Sequence, residues 1–358
     1  MSKDGNRKTL QAPFPYFGGK SRIAHEVWRR FGAVRNFVEP FLGSAAMLLA
    51  RPQPFDGSET VNDFDGMVAN FWRVVAAKPD EVAFHADWPV FENDLHARHV
   101  WLVGQKESLQ SRLEGDPDFF DTRIAGWWCW GTCCWIGSGF CSGRGPWQVQ
   151  EVDGVPQLVH IGDAGRGVNR QLVHLGDAGQ GVNRQRVHLG RSQGVNRPLV
   201  HLGNAGQGVN RQLAGIYGWM QALADRLARV RVCCGDWSRV CGDSPTVKQG
   251  LTAVFLDPPY SGEAGRHNEL YDKEDLTVAH DVREWCLERG GDKLLRIALC
   301  GYEGEHEALE AAGWAVLEWK AAGGYGSQGS RGSLNAKRER VWFNKSCINN
   351  ERRQEVLF

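Results

Sequence analysis

The chain has 358 residues, with 42 basic and 42 acidic side chains cancelling to a formal net charge of zero and a hydrophobic content of 42%. That length suits one large domain plus an inserted or second one, and the charge balance excludes a protein that is basic throughout. A polar start (Met1 to Leu10), no apolar run near the ~18 residues of a membrane span, and ten cysteines too few for a disulfide scaffold point to a soluble cytoplasmic protein with reduced thiols, not bound to a membrane.

In chain order, residues 1–11 read as a mobile tail. Pro15-Tyr16-Phe17-Gly18-Gly19-Lys20-Ser21 is a glycine turn feeding a helix, in which Ile23, Val27 and Phe31 share a face with Ala24 and Trp28 alongside. A strand at Arg35–Val38 runs into Glu39-Pro40-Phe41-Leu42-Gly43-Ser44 and a small-residue helix, Ala45–Ala50. A second strand ends at Val61-Asn62-Asp63, and a helix follows over about Gly66–Ala77. Strand, helix, strand, helix is the opening of a doubly wound α/β fold. Residues from about Pro79 to Arg123 look helical and amphipathic, and a stretch rich in tryptophan, cysteine and glycine follows, from Trp127 to Trp147. The α/β pattern resumes at Ala228–Cys234 and continues with a strand at Leu251–Leu256 and a helix at about Lys273–Arg289. A strand at Leu294–Leu299, a helix at about Glu305–Ala312, and strands at Trp314–Glu318 and Arg340–Phe343 complete it. The boundaries are therefore a first α/β half at 12–78, an inserted region at 79–219, a second half at 220–345 and a tail at 346–358.

The apolar strand Leu251–Leu256 ends in Asp257-Pro258-Pro259-Tyr260. Two successive prolines neither continue a ladder nor enter a helix interior, so they hold a rigid extended corner at the carboxyl end of a buried parallel strand, where open α/β sheets bind ligands. Such a corner aims one carboxylate, one proline carbonyl and one aromatic ring at a common point. Those groups suit an exocyclic amino group on a heterocycle. The amino lone pair is delocalised into the ring, and hydrogen bonds from its two hydrogens to the Asp257 carboxylate and the Pro258 carbonyl localise it toward an electrophile. Tyr260 is placed to stack on the heterocycle.

These residues resemble the catalytic motif of the DNA amino-methyltransferases, and the order of the motifs resembles the Dam-type adenine-N6 group. Tyr16 with Gly18-Gly19-Lys20 is similar to its N-terminal Gly-Gly-Lys segment. Glu39-Pro40-Phe41-Leu42-Gly43-Ser44 is similar to the cofactor loop of S-adenosylmethionine-dependent methyltransferases, in which Gly43 permits close backbone approach. The resemblance implies a Rossmann-like methyltransferase sheet, S-adenosylmethionine as cofactor, and double-stranded DNA as partner, with the target base flipped out of the duplex. It further implies that Tyr16, Gly18, Gly19, Lys20, Glu39, Pro40, Phe41, Gly43 and Ser44 contact the cofactor, Lys20 near its amino-acid end or the flipped base. Asp63 would grip the ribose, and Asp236 would lie near the cofactor's adenine; either could instead be a helix N-cap. Cytosine amino groups, RNA or a glutamine amide share this chemistry, and a methyltransferase fold that keeps DNA binding without activity is the rival from another class.

The insert, by its position the target-recognition region, contains four tandem units at 158–171, 172–185, 186–198 and 199–212, of period 14 with one unit a residue short. Their glycines disfavour helix, and the pattern of turn and short strand gives them β character, as a meander or a small solenoid. Between Gln157 and Leu213 there are seven arginines and two aspartates, a local charge of +5. Arg170, Arg184, Arg197 and Arg211 recur at nearly regular spacing that suits phosphate contacts; tandem duplication in a permissive surface loop, with no role for each copy, is the alternative. Cys129, Cys133, Cys134 and Cys141 lack a paired Cys-x-x-Cys and a histidine set, so no metal is expected and they read as small apolar core residues.

Overall fold

The computed structural model describes residues 10–16, 18–116, 118–135, 140–141, 147–152, 154–160, 212–259, 273–319 and 338–348, with backbone alone at 147–152, 155–160, 212–214 and 273–276. The repeats from Ile161 through Arg211, with Arg170, Arg184, Arg197 and Arg211, and also Phe17 and Tyr260, lie outside the described residues. Two compact units divide the chain, Met1–Tyr16 with Asp65–Ala228 and Phe17–Phe64 with Arg229–Phe358.

The second unit has the α/β architecture expected from the sequence. Its strands are β1 (Asn36–Glu39), β2 (Ser58–Asp63), β5 (Val230–Cys234), β6 (Thr252–Leu256), β7 (Leu295–Tyr302), β8 (Ala315–Glu318) and β9 (Glu339–Phe343), which form one sheet in the order β5-β2-β1-β6-β7-β9-β8. The pairs β5–β2, β2–β1, β1–β6 and β6–β7 are parallel, and β9 runs antiparallel between β7 and β8. Every residue of β1 and of β6 is buried, as expected of parallel strands covered on both faces. Alternation assigns the two faces. Phe37 turns to one face, where Trp28 of the helix Ala24–Phe31 packs at a centroid distance of 4.8 Å. Val38 turns to the other, in a core with Val254, Leu256, Ile297, Leu299, Trp342 and the helix residues Val282 and Cys286. Leu42, Gly43 and Ala45 then carry the chain into the short helix Ala46–Leu49.

The first unit is helical, with helices Gly66–Ala77, Pro79–Ala86, Glu92–Gly115, Thr122–Cys134 and Gln212–Leu227 and a hairpin of β3 (Trp147–Val152) and β4 (Val155–His160). Asp65 caps the first helix by accepting the Met67 N–H at 2.9 Å, and Asp121 caps the helix Thr122–Cys134 by accepting that of Ile124 at 2.8 Å. Phe14 sits between Phe71 and Trp128, with ring centroids 5.0 and 4.8 Å away. The tryptophan- and cysteine-rich stretch, whose glycines look like punctuation in sequence, is thus in part a buried helix. Gly126 is there for close approach, because a Cβ at that position would lie 2.3 Å from the Cβ of His85. Cys129, Cys133 and Cys141 are buried and free, and burial pushes the Cys129 thiol well above its ordinary pKa. Among the described residues, no helix is long and apolar enough to cross a membrane, and no group of acidic, histidine or cysteine residues could hold a metal ion.

Two buried histidines make stability sensitive to acid. His99 stacks on Trp135 at 4.6 Å and accepts the Cys141 N–H through Nδ1, while His306 packs edge-on against Trp342 at 4.9 Å. Burial, with His96 near His99 and Arg283 near His306, pushes each down to a pKa of about 4. Because the folded values lie below the ordinary 6.5, folding favours the neutral rings. The contribution of each ring is present above pH 6.5 and is lost as pH falls from 6.5 toward 4, by up to roughly 3 kcal/mol. Urea unfolding at pH 7 and pH 4.5 should show a smaller drop in midpoint for His306→Leu than for the wild type; equal drops would contradict this assignment.

Candidate active site

The sheet order reverses between β1 and β6: β2 and β5 lie on one side and β7, β9 and β8 on the other. Adjacent crossovers leave in opposite directions at such a point, opening a crevice beyond the carboxyl ends of the two strands. Glu39 ends β1 and Asp257 directly follows β6, so two sequence-predicted residues from distant parts of the chain flank this crevice.

The loop after β1 is held from below by β2. Gly43 has φ 47°, in the left-handed region where a side chain is strained, and its N–H donates to Asp63 Oδ2 at 2.8 Å. Asn62 Nδ2 donates to the Pro40 carbonyl at 3.0 Å and to that of Gly235 at 2.9 Å, so one amide ties the loops after β1 and β5 together. Backbone bonds from Leu42 to Asn62 and from Gly235 to Asp63, at 2.9 and 3.1 Å, reinforce the joint. Asn62 Oδ1 is a buried acceptor with no hydrogen-bond partner among the described residues. Glu39 is buried and accepts the Leu48 N–H at 3.1 Å. Burial raises its pKa well above the carboxylate range, against the backbone donors of Leu48 and Met47, with Asp257 nearby adding to the rise. Phe41 stacks on Trp237 with centroids 6.3 Å apart, and Ser44 is half-buried. Asp236 is exposed and caps the turn Trp237–Val240 by accepting from the N–H and the hydroxyl of Ser238. Asp65, not Asp63, caps the helix after β2, and Asp63 is instead committed to Gly43.

The second half of the site centres on a buried ammonium. Lys20, only 4% exposed, places Nζ 2.9 Å from Asp257 Oδ1, 2.9 Å from the Gly18 carbonyl and 3.9 Å from Glu339 Oε2. Burial alone would lower its pKa, but the carboxylates of Asp257 and Glu339 outweigh it and hold the group above the ordinary lysine value. Gly18, at φ 77°, and Gly19 are exposed, while Pro258 is buried and Pro259 half-buried. Tyr16 belongs to the other unit, 41% exposed and edge-on to Phe14 at 6.3 Å.

The sequence did not single out Glu339, Cys300, Trp319 or Phe64. Lys20 Nζ lies 6.0 Å from the Trp319 ring centre, and Phe64, next to Asp63, is 61% exposed. A buried acid heading the apolar run Val341-Trp342-Phe343 was a signal for Glu339, although by sequence it is indistinguishable from a solvated strand end. An aromatic ring directly after a strand-terminal aspartate was the signal for Phe64.

Asp63→Ala should leave the buried Gly43 N–H without its acceptor and lower unfolding free energy by about 1–3 kcal/mol. Denaturant titration checks this, and an unchanged midpoint would show that the loop does not depend on this bond.

Residues 16–96 match the family model described as D12 class N6 adenine-specific DNA methyltransferase, a span that includes the Gly-Gly-Lys segment, the loop after β1 and Asp63 and covers under a quarter of the chain. A comparison with curated proteins finds no match.

Proposed function

From the premise that this match supports an adenine-specific DNA methyltransferase, we propose that the chain transfers a methyl group from S-adenosylmethionine to the N6 amino group of adenine in double-stranded DNA, as a Dam-type enzyme. The observation that carries the proposal is the 2.9 Å pair between Lys20 and Asp257. It joins the Gly-Gly-Lys segment to the Asp-Pro-Pro corner at the reversal of strand order between β1 and β6.

The residues present fit the cofactor. Acidic side chains stand at the ends of β1 and β2 and in the turn after β5, where Glu39, Asp63 and Asp236 suit hydroxyl and amino donors. The exposed Phe64 ring suits a heterocycle, and the backbone of Pro40, Phe41, Gly43 and Ser44, with Gly18 and Gly19, offers close approach. When bound, S-adenosylmethionine supplies an electrophilic methyl group. Asp257 and the Pro258 carbonyl accept the two amino hydrogens of the target base, orienting its nitrogen lone pair, and Tyr260 stacks on the base. Lys20 holds its ammonium 2.9 Å from Asp257 Oδ1 and so fixes the orientation of the accepting carboxylate. In this reading the 79–219 region recognises DNA, with Arg170, Arg184, Arg197 and Arg211 on phosphates, and the enzyme works in the cytoplasm.

Asp257→Ala should reduce transfer of tritiated methyl groups to duplex DNA by at least ~10³-fold, with calorimetric affinity for S-adenosylmethionine nearly unchanged. Near-normal turnover in the variant would remove Asp257 from the chemistry. Deleting two of the repeats should weaken DNA binding and flatten its dependence on salt, because arginines that release counterions are lost. An unchanged slope would assign the repeats to neutral duplication.

A further inference from the structure

We infer that Glu339 is a positioning residue for methyl transfer, acting on Asp257 through the Lys20 ammonium. The inference rests on the methyltransferase reading above. An ammonium has three N–H donors, and Lys20 Nζ faces three oxygens: the Gly18 carbonyl at 2.9 Å, Asp257 Oδ1 at 2.9 Å and Glu339 Oε2 at 3.9 Å. Gly18 O is backbone, and Glu339 heads a strand paired on both sides, facing Tyr302 of β7 across the sheet. Glu339 is itself buried, 6% exposed.

The arrangement answers a problem posed by the Asp257 carboxylate. A lone lysine beside it would be drawn fully onto the carboxylate and would compete with the amino group of the base for the same acceptor. The second carboxylate, on the far strand, pulls the ammonium the other way. Oδ1 is then held at 2.9 Å by an ammonium that also faces Glu339 Oε2 at 3.9 Å, and the carboxylate keeps a fixed orientation toward the base. On base entry Lys20 has a second anion to move toward, so no buried charge is left without a counter-charge. Three strands meet in this device: β6 presents Asp257, β9 presents Glu339, and β7, between them, carries Cys300. Burial, followed by the charge of Asp257, raises the pKa of the Cys300 thiol far above its ordinary range, so it adds no third negative charge.

The test is single-turnover methyl transfer to plasmid DNA by the wild type, Glu339→Gln, Lys20→Met and the double variant. Glutamine keeps the shape and removes the charge. Glu339→Gln should slow transfer about 5- to 20-fold, with calorimetric affinity for S-adenosylmethionine within two-fold of wild type. In the Lys20→Met background the same substitution should have no further effect, because the ammonium that links Glu339 to Asp257 is gone. Wild-type rates in Glu339→Gln, or equal losses in both backgrounds, would overturn the inference and leave Glu339 with a structural role alone. Should the glutamine variant be too unstable to assay, Glu339→Met removes the same charge and is read by the same coupling. If the wild type transfers no methyl group, the methyltransferase reading itself fails, and this inference falls with it.

Discussion

The arrangement of the α/β unit depends on one junction, the pairing of β1 with β6. The two strands are far apart in sequence yet lie side by side, with Asn36 opposite Thr252 and Val38 opposite Val254. Asn36 fastens the junction from beneath. Its buried amide donates to Thr252 Oγ1 at 3.0 Å and to the Pro245 carbonyl at 2.7 Å, and its carbonyl oxygen accepts from the Ser58 hydroxyl at 3.0 Å. Three segments of β1, β2 and the approach to β6 are therefore indexed on one side chain, and register within a parallel sheet fixes what emerges at the other end. Glu39 and Asp257 face the same crevice because Asn36 and Thr252 are level at its base.

Above that junction the site is built from charges that water does not reach freely. Buried ions are tolerable only when paired and hydrogen-bonded, and removing one partner of such a pair typically costs about 3–5 kcal/mol. Lys20 meets that requirement with one carbonyl and two carboxylates. Glu39 meets it differently: burial favours its neutral form, and the Leu48 N–H holds its carboxyl in place. Asp63 is spent on the loop backbone through Gly43. Glu39 and Asp63 are therefore held by different backbone partners within a single crevice.

Much of this was legible from local pattern. The faces of the helix Ala24–Phe31, the apolar strand before Asp257 and the helix Gly66–Ala77 follow from local pattern, since each needs only neighbouring residues to be recognised. What escaped was non-local or depended on glycine. β7 runs on to Tyr302, three residues past its expected end, because Cys300, Gly301 and Tyr302 find partners in β9; read locally, Gly301 is a break. The hairpin β3–β4 pairs Val152 with Val155 across its turn, where Gly154 has φ 76°. The contact of Lys20 with Glu339 spans nearly the whole chain, and no sequence pattern announces it. The partner of a buried charge is chosen by topology.

The central claim is that the Asp257 corner methylates adenine N6. The most direct measurement is nucleoside mass spectrometry of genomic and plasmid DNA from cells expressing the wild type or Asp257→Asn, in a host lacking its own adenine methylation. The account predicts N6-methyladenine with the wild type and none with the variant. N4-methylcytosine in its place, or no modified base from soluble wild-type protein, would contradict it.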